Sequence, residues 1–572
     1  MANATTPVFP SLSKGLTPVF AAVLSTQLLA QGGPPPNELL RMDSGHVSAA
    51  LGDLDGDGIS EIITGDSNYS RPDGTRVYHG IVHVHSGASG ALLYTIEGEN
   101  SYDAFGNAVA NAGDTNLDGV SDFIVGAMDA SPNGLTSAGS AYLYSGADGS
   151  LLHVFHGHTA YGDYGFSVAG AGDTDNDGYA DVVIGDPYDT FFGGAVGAGY
   201  AEVRSGQDGT IQRTINGTSW ELVGFAVGYA GDVDNDGFDD VYITSPAWDN
   251  GAAYDAGRFQ VYSGRLWTVL REFHGDEAGM HFGHSVATGA DLDGDTHDDY
   301  LIGAPLAAPA STGFVQTGAV YAYSVTGPLI REIAGENFAD QFGHSVAVLQ
   351  DLNGDGYGEC LIGAPMTDPN SIWQSGSAYL YSGIDGSQMA RVDGVDYYHE
   401  FGHDVGACTD LNGDGLNEFL ISAEHNFLTT VHGRTSAWSW EANPYLRATA
   451  SQLSAAAGGA VEFEINFPFS EAGFNYMLVG SASGTGPTTI HGVSIPLTAD
   501  WLSTLMSGPN PPAVFQNSQG LLNHNGDAAA QLNLPPGMAA AYVGTTFQFA
   551  AVSIAAPLVR LSSMALPLSI MP

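Results

Sequence analysis

The chain has 572 residues and a formal charge of −49, so it is long enough for several cores and too acidic for a nucleic-acid partner. Its only lysine is Lys14, and 25 of its 63 acidic residues stand at the regularly spaced positions described below. Adaptation to salty water accounts for the remaining acidity equally well.

At the N-terminus, Lys14 precedes an apolar run from Leu16 to Leu29 that ends at Ala30-Gln31. This run is shorter than a membrane span and reads as a secretory signal over residues 1–31 with a weakly charged start. Nothing later in the chain is apolar enough for long enough to cross a bilayer, so a secreted or cell-surface product is expected.

Seven acidic loops then follow, one roughly every sixty residues, which marks a repeat architecture. Each places oxygen-bearing side chains at loop positions 1, 3, 5 and 9. The first four are Asp53, Asp55, Asp57, Glu61; Asp114, Asn116, Asp118, Asp122; Asp173, Asp175, Asp177, Asp181; and Asp232, Asp234, Asp236, Asp240. The remaining three are Asp291, Asp293, Asp295, Asp299; Asp351, Asn353, Asp355, Glu359; and Asp410, Asn412, Asp414, Glu418.

Carboxylates at this density repel one another unless a cation sits among them, and hard oxygen donors suit calcium better than zinc or copper. Up to seven structural calcium ions are therefore expected, offsetting 14 negative charges. Loop positions 4 and 6 are mostly Gly or Asn, residues that tolerate the positive φ needed to wrap a small ion. Leu117 and Thr296 are the exceptions, and loops two and five are expected to bind more weakly.

An EF-hand is excluded, because position 12 is Thr64 in the first copy rather than a bidentate Glu. The flanks are also wrong for it. Runs such as Ser285-Val286-Ala287 before a loop and Asp181-Val182-Val183-Ile184 after one have the composition of strands, which makes each loop a hairpin connection.

Phe-Gly precedes the loops at Phe105-Gly106, Phe282-Gly283, Phe342-Gly343 and Phe401-Gly402, and Gly-Ala-Pro follows at Gly303-Ala304-Pro305 and Gly363-Ala364-Pro365. In these residues the chain resembles the FG-GAP repeats of integrin α-subunit β-propellers, including their nine-residue calcium loop. The resemblance spans residues 45 to about 441. Departures within the frame are Ser44-Gly45, Tyr164-Gly165 and Val223-Gly224 for Phe-Gly, and Ser245-Pro246 and Ser422-Ala423 for Gly-Ala-Pro.

Copy six illustrates four strands per period: His344 to Leu349, Cys360 to Gly363, Ser377 to Ser382 and Gln388 to Val392. Four-stranded units repeated radially make a propeller, so the expected fold is all-β, a seven-bladed β-propeller over residues 38–443. Copy seven has a shortened connection between strands two and three (Glu424 to Leu428), and Glu38 to Met42 is a candidate closing strand. The calcium loops join strands one and two on one face. The two–three and four–one loops lie on the other.

Cys360 and Cys408 fall in neighbouring blades, where a disulfide and two buried thiols are both open. After Pro444 the repeat ends and the charge thins to five acidic and two basic residues. Alternating runs at Val461 to Phe467, Tyr476 to Val479 and Thr546 to Ile554 predict a small C-terminal β-sandwich over 445–572.

His399-Glu400-Phe401-Gly402-His403 matches the zinc-protease pattern HExxH. That motif needs a helix, whereas Phe401-Gly402 is the repeat's own dipeptide, so zinc catalysis is not expected. His46, His284, His344 and His403 share one repeat position, which suggests a structural hydrogen bond to the neighbouring blade.

Specificity is expected where the copies differ. The two–three loops supply Tyr69, Tyr188, Phe191, Phe192, Trp248, Tyr254, Phe314 and Trp373; the four–one loops supply Tyr102, Tyr161, Trp220, Tyr397 and Tyr398. Aromatics on a rigid scaffold bind sugars or protein surfaces, or else pack over neighbouring blades. The resemblance to integrin propellers also implies that this face meets partners.

The expected function is an extracellular binding or adhesion module with structural calcium, taking a protein or carbohydrate ligand on the face opposite the calcium loops. No catalytic constellation is nominated. The alternatives are an enzyme, lyase or hydrolase, acting on extracellular polysaccharide on this same propeller scaffold, and a purely structural cell-surface protein.

Overall fold

The computed structural model describes residues 36–440 apart from 190–196, 219, 314, 353–355, 384, 413–415 and 425–432, and much of 446–571, with 496–513 the longest stretch left out. The signal reading at 1–31, Phe191, Phe192, Phe314 and most of the shortened connection in copy seven lie outside the described residues.

Seven four-stranded antiparallel sheets follow one another along the chain, and the fold is a seven-bladed β-propeller. Blade six runs Val346–Leu349, Glu359–Ala364, Ser377–Ser382 and Gln388–Asp393, within two residues of the sequence reading at every boundary. Strand two of a blade is apolar on both faces, as Asp122–Ala127 and Glu359–Ala364 show by being buried throughout. Its alternate side chains feed two different cores. Phe123 and Val125 pack towards blade one with Ile63, Val82 and Val84, while Ile124 packs towards blade three with Val182 and Ile184. Hydrophobic burial is therefore organised between blades rather than within them, and each sheet is stable only beside its neighbours.

The repeat dipeptides explain how neighbouring blades interlock. Phe105, Phe282, Phe342 and Phe401 are fully buried, each forming a backbone bridge to the glycine that opens strand three of the preceding blade. Gly343 adopts a φ of 87° and donates its N–H to the Gly363 carbonyl, so the Gly of Phe-Gly is tied to the Gly of Gly-Ala-Pro. A Cβ on Gly363 would lie 2.0 Å from the Gly402 carbonyl oxygen of the next blade, which is why a side chain is excluded there. Tyr164 and Val223 fill the Phe site in blades three and four and are equally buried, so these departures leave the frame intact.

The ring closes by exchange between the two ends of the repeat region. Blade seven takes Asp404–Ala407, Phe419–Ala423 and Arg434–Ser439 from its own copy and Asn37–Met42 as its outermost strand, paired from Asn37 with Ser439 to Met42 with Thr435. The candidate closing strand thus completes the last blade. A separate core joins Met42 and Ile62 to Leu411, Leu420 and Ala437, and Ser48 donates its N–H and hydroxyl to the Asp404 carboxylate across the seam.

Cys360 and Cys408 are free, and burial pushes both thiols up to about 12, leaving them as small apolar fillers. Beyond the propeller, Gly459–Asn466 and Asp527–Leu534 form the centre of one sheet, while Asn475–Ser481, Thr546–Ala555 and Leu566–Met571 belong to a second. Val461, Phe463 and Ile465 from the first share a core with Leu478, Phe549 and Leu568 from the second, the arrangement of a β-sandwich. Among the described residues no helix is long and apolar enough to cross a membrane.

Candidate metal centres

Every described acidic loop is organised around its first aspartate. Asp53 Oδ1 accepts from the Gly56 and Asp57 N–H groups at 2.7 and 3.1 Å, and its Oδ2 accepts from the Gly58 N–H at 2.8 Å. The bond from position 6 to position 1 recurs at 2.7–2.9 Å from Gly119, Gly178, Gly237, Thr296 and Gly356. Position 5 then caps the N–H of position 7, as Asp57 does for Ile59 at 2.9 Å. Leu117 (φ 60°) and Thr296 (φ 73°) take the same left-handed backbone as the Gly and Asn of the other copies. The loop shape therefore survives at these two positions at a cost in backbone strain.

These bonds turn the carboxylates inward. In loop one Asp53, Asp55, Asp57 and Glu61 each bring an oxygen within 4.8 Å of the others. Asp173, Asp175 and Asp181 do so in loop three, and Asp232, Asp234 and Asp240 in loop four. In loop five the group is Asp291, Asp293 and Asp295, and Asp299 is left out of it. Loop two, with Asp114, Asp118 and Asp122, does not gather three carboxylates this closely; its Asn116 amide donates to Asp122 Oδ1 at 3.3 Å instead. Asn412 in loop seven likewise donates to Glu418 Oε1, at 2.7 Å. Loop six shows Asp351 and Glu359, while Asn353, Asp355 and, in loop seven, Asp414 lie outside the described residues.

Position 9 divides the copies into two kinds. Where it is Asp, both oxygens brace the backbone. Asp240 accepts from Val233 at 2.8 Å and from Gly264 in the turn after strand three at 3.0 Å, and Asp122, Asp181 and Asp299 do the same with their equivalents. At Glu61 the extra methylene changes the outcome: Oε2 takes the Leu54 N–H, and Oε1 is buried with no hydrogen-bond partner, whereas in loop seven Glu418 Oε1 accepts from Asn412. An orphaned buried carboxylate oxygen beside three further carboxylates fits a hard cation and is costly without one.

Burial pushes Asp181, Asp240 and Asp299 up to about 6, and burial together with Asp55, Asp53 and Asp57 raises Glu61. A bound cation would reverse that direction and keep the group ionised.

Two contributors were not anticipated. Gln212 Nε2 donates to Asp175 Oδ2 at 2.9 Å from strand four of blade three; it stands where the other blades have an apolar residue such as Leu152 or Leu270, a departure visible in the aligned repeats. Arg265 lies 3.9 Å from Asp236 and over the Phe238 ring. The loops are also linked to one another. The position-8 N–H of one loop donates to the position-1 carbonyl of the loop before it at Ala180 to Asp114, Asp239 to Asp173 and Gly358 to Asp291.

The opposite face is built differently. Around the axis, His284 Nδ1 faces the His344 carbonyl at 3.2 Å and His344 Nδ1 the His403 carbonyl at 3.1 Å, the blade-to-blade bonds expected of that repeat position. Burial lowers these imidazoles, His284 to about 3 and His344 and His403 to about 4, so they stay neutral. Strand-one residues, among them Ala110, Gly170, Gly228, Ala287, Ala347 and Gly406, surround a central channel of about 330 Å³. His399 is buried in the turn ahead of Asp404–Ala407, and it forms no close metal-ligating group with Glu400 and His403. Farther out, Tyr69 packs on His79, Trp248 on His274 and Arg258, and Tyr188 on Phe166. Tyr102, Tyr161, Trp220, Tyr254, Trp373 and Tyr397 are instead largely exposed.

The family model for the FG-GAP repeat matches residues 282–323 and 342–381, which are blades five and six. The chain carries FG-GAP repeats. The FG-GAP propeller is 31% identical over 216 residues to integrin alpha-PS2 of Drosophila melanogaster, covering 34% of this chain and 14% of that protein. It is 28% identical over 246 residues to integrin alpha-V of Gallus gallus, covering 40% of this chain and 22% of that protein. The chain thus spans under a quarter of the length of these curated relatives. Among solved structures, a rhamnogalacturonan lyase of Bacillus licheniformis is similar at 15% identity and a TM-score of 0.32, over 68% of this chain and 74% of that one. That likeness is too low to carry an argument.

Proposed function

We propose that this FG-GAP propeller is an extracellular binding or adhesion module whose acidic loops hold structural calcium and whose opposite face meets the ligand. The observation that carries the reading is loop one: four carboxylates within 4.8 Å, including a buried Glu61 oxygen with no protein partner. An all-oxygen donor set of this kind suits calcium, and an extracellular setting supplies it continuously, so affinities of roughly 10⁻⁴ to 10⁻³ M suffice. The secretory reading of residues 1–31 agrees with that setting.

In this reading the ligands are the residues at positions 1, 3, 5 and 9 of all seven loops. Position 9 serves as a direct ligand at Glu61 and, besides bracing the backbone, at Asp181 and Asp240, which belong to the carboxylate groups of loops three and four. Loops two and five bind more weakly, the first through its Asn116 bridge and the second through a withdrawn Asp299. Because backbone hydrogen bonds link loops two, three and four and loops five and six, ions in these loops stiffen more than their own hairpins, leaving the other face free to present side chains.

The test is thermal unfolding of the mature chain with calcium and with chelator, alongside bound-metal content. A large calcium-dependent rise in midpoint with up to seven ions is expected. No bound calcium and no shift would overturn the reading.

A further inference from the structure

The exposed aromatics occupy one recurring junction. In each of several blades a residue three before the Phe-Gly phenylalanine donates its N–H to a carbonyl in the preceding two–three loop: Tyr102 to Val77, Tyr161 to Thr136, Gly279 to Tyr254, Ala339 to Gln316 and Tyr398 to Trp373, at 2.8–3.0 Å. The donor residue always has left-handed φ, 68° at Tyr102, 63° at Tyr161 and 74° at Gly279, and Trp220 at the same position shares it with a φ of 64°.

Glycine suits that backbone, and blade four's junction uses it; a bulky aromatic there is strained. The rings gain little packing in return. Tyr102, Tyr161, Trp220, Tyr254, Phe338 and Trp373 are 58–68% exposed. Where the donor is Gly279, the ring comes from its acceptor Tyr254, and where it is Ala339 the ring comes from the adjacent Phe338. Six successive junctions thus each present a ring to solvent, from one side or the other. At Tyr102, Tyr161 and Trp220 the side chain is both strained and exposed, which folding does not explain, and strain of this kind gathers at functional positions.

The spacing speaks to the ligand. A protein interface needs a continuous dry apolar centre, whereas these rings are distributed over six separate junctions. Separate flat platforms suit a chain of sugar rings, each stacking an apolar face on an aromatic one. The four–one loops, which carry Tyr102, Tyr161, Trp220 and Phe338, contain Glu99, Glu221, Asp276, Glu277, Glu336 and Asp396 and neither lysine nor arginine; Arg71 and Arg76 on the first two–three loop are both turned to Glu97. Such a surface repels an anionic polysaccharide and offers carboxylate acceptors to hydroxyl groups.

We propose that this aromatic crown binds an uncharged polysaccharide, with sugar rings stacked on the platforms of neighbouring blades. This rests on the reading that the face opposite the metal loops is the binding face.

The test uses the full chain in calcium, with affinity gels containing neutral glycans (β-glucan, xylan, galactomannan) or acidic ones (alginate, polygalacturonate), and with gelatin-coated plates. The decisive variants are the triple Tyr102→Gly, Tyr161→Gly, Trp220→Gly and the triple Tyr254→Ala, Phe338→Ala, Trp373→Ala. We expect retardation by at least one neutral glycan and at least a tenfold loss of affinity in each triple variant. The thermal midpoint of the glycine triple should stay unchanged or rise, since glycine relieves the backbone. A fall in that midpoint would show the rings to be structural and overturn the proposal. So would full retention of binding by both triples, or preference for the acidic glycans. Adhesion to gelatin without retardation by any neutral glycan would overturn the glycan assignment and leave the binding module standing; binding to none of these surfaces would count against both.

Discussion

The two faces of the propeller are made from the same seven repeats and obey opposite rules. On the acidic-loop face the copies converge: position 1 accepts from position 6 in the six loops whose position 6 is described, even where Thr296 must adopt a glycine-like φ to allow it. On the other face the backbone junctions recur while the side chains diverge, from Gly279 and Ala339 to Tyr161 and Trp220. The difference teaches that a repeat can separate its tasks. Uniform positions hold the ring together, and strain is tolerated there to keep a shape. Variable positions ride on a backbone that is already fixed, so their side chains are free to serve something outside the fold.

If the acidic loops hold calcium as proposed, its withdrawal should separate the two faces most visibly. Each site saturated a hundredfold above its dissociation constant contributes about 2.7 kcal/mol, so losing several should lower the midpoint strongly. Hydrogen exchange should then quicken first in the nine-residue loops and later at the Phe-Gly contacts. Simultaneous loss on both faces would show that the faces are not separable.

The reverse experiment is Phe342→Ala, which empties a buried clamp between blades five and six. It should cost about 3–5 kcal/mol in denaturant unfolding while bound calcium stays constant. A change in metal content would mean that the clamp and the loops are coupled.

Asp404 tests the closing seam. It is partly buried, and loss of hydration raises it to about 6 despite the Ser48 hydrogen bonds. Because its folded value lies above the usual 3.8, its contribution is fully present below pH 4 and is lost as pH rises through 6. The shift corresponds to about 3 kcal/mol at most, and roughly half that once partial exposure is allowed for. Asp404→Asn should flatten the stability profile between pH 4 and pH 7; an unchanged profile would remove the seam as its source.

Within the loops, Glu61→Gln should lower the bound-metal count by one. Asp299→Asn should leave the count unchanged and cost about 1–2 kcal/mol through a lost acceptor for a buried N–H. Equal metal loss in both variants would show that Asp and Glu at position 9 play one role. The smallest effects belong to Leu117→Gly and Thr296→Gly, which relieve left-handed strain and should raise stability by up to about 1 kcal/mol. Isothermal titration should show loop five tightening with Thr296→Gly if backbone strain adds to the withdrawn Asp299, and no change would leave Asp299 as the whole reason for its weakness.

Much of this was written in the residues themselves. The sixty-residue period, the β-rich runs flanking each loop and the paired Phe-Gly and Gly-Ala-Pro signals determined seven four-stranded blades, because strand composition and turn chemistry are local properties of a strand and its loop. The carboxylates of the acidic loops were equally legible, since a nine-residue loop brings its own side chains together whatever surrounds it.

Tertiary structure decided what depends on residues far apart in sequence. Asn37–Met42 joins blade seven only because the ring returns to its start, some four hundred residues later. Asp299 stands outside its metal group while Asp181 and Asp240, held by the same pair of backbone donors, stay within theirs, and one methylene more leaves Glu61 with a free oxygen. Which aromatics pack and which stand in water likewise depends on neighbouring blades: Trp248 finds Arg258 and His274, while Trp220 finds solvent. Period and composition specify the blade, but exposure and the second hydrogen-bond partner of a carboxylate exist only once blades stand side by side.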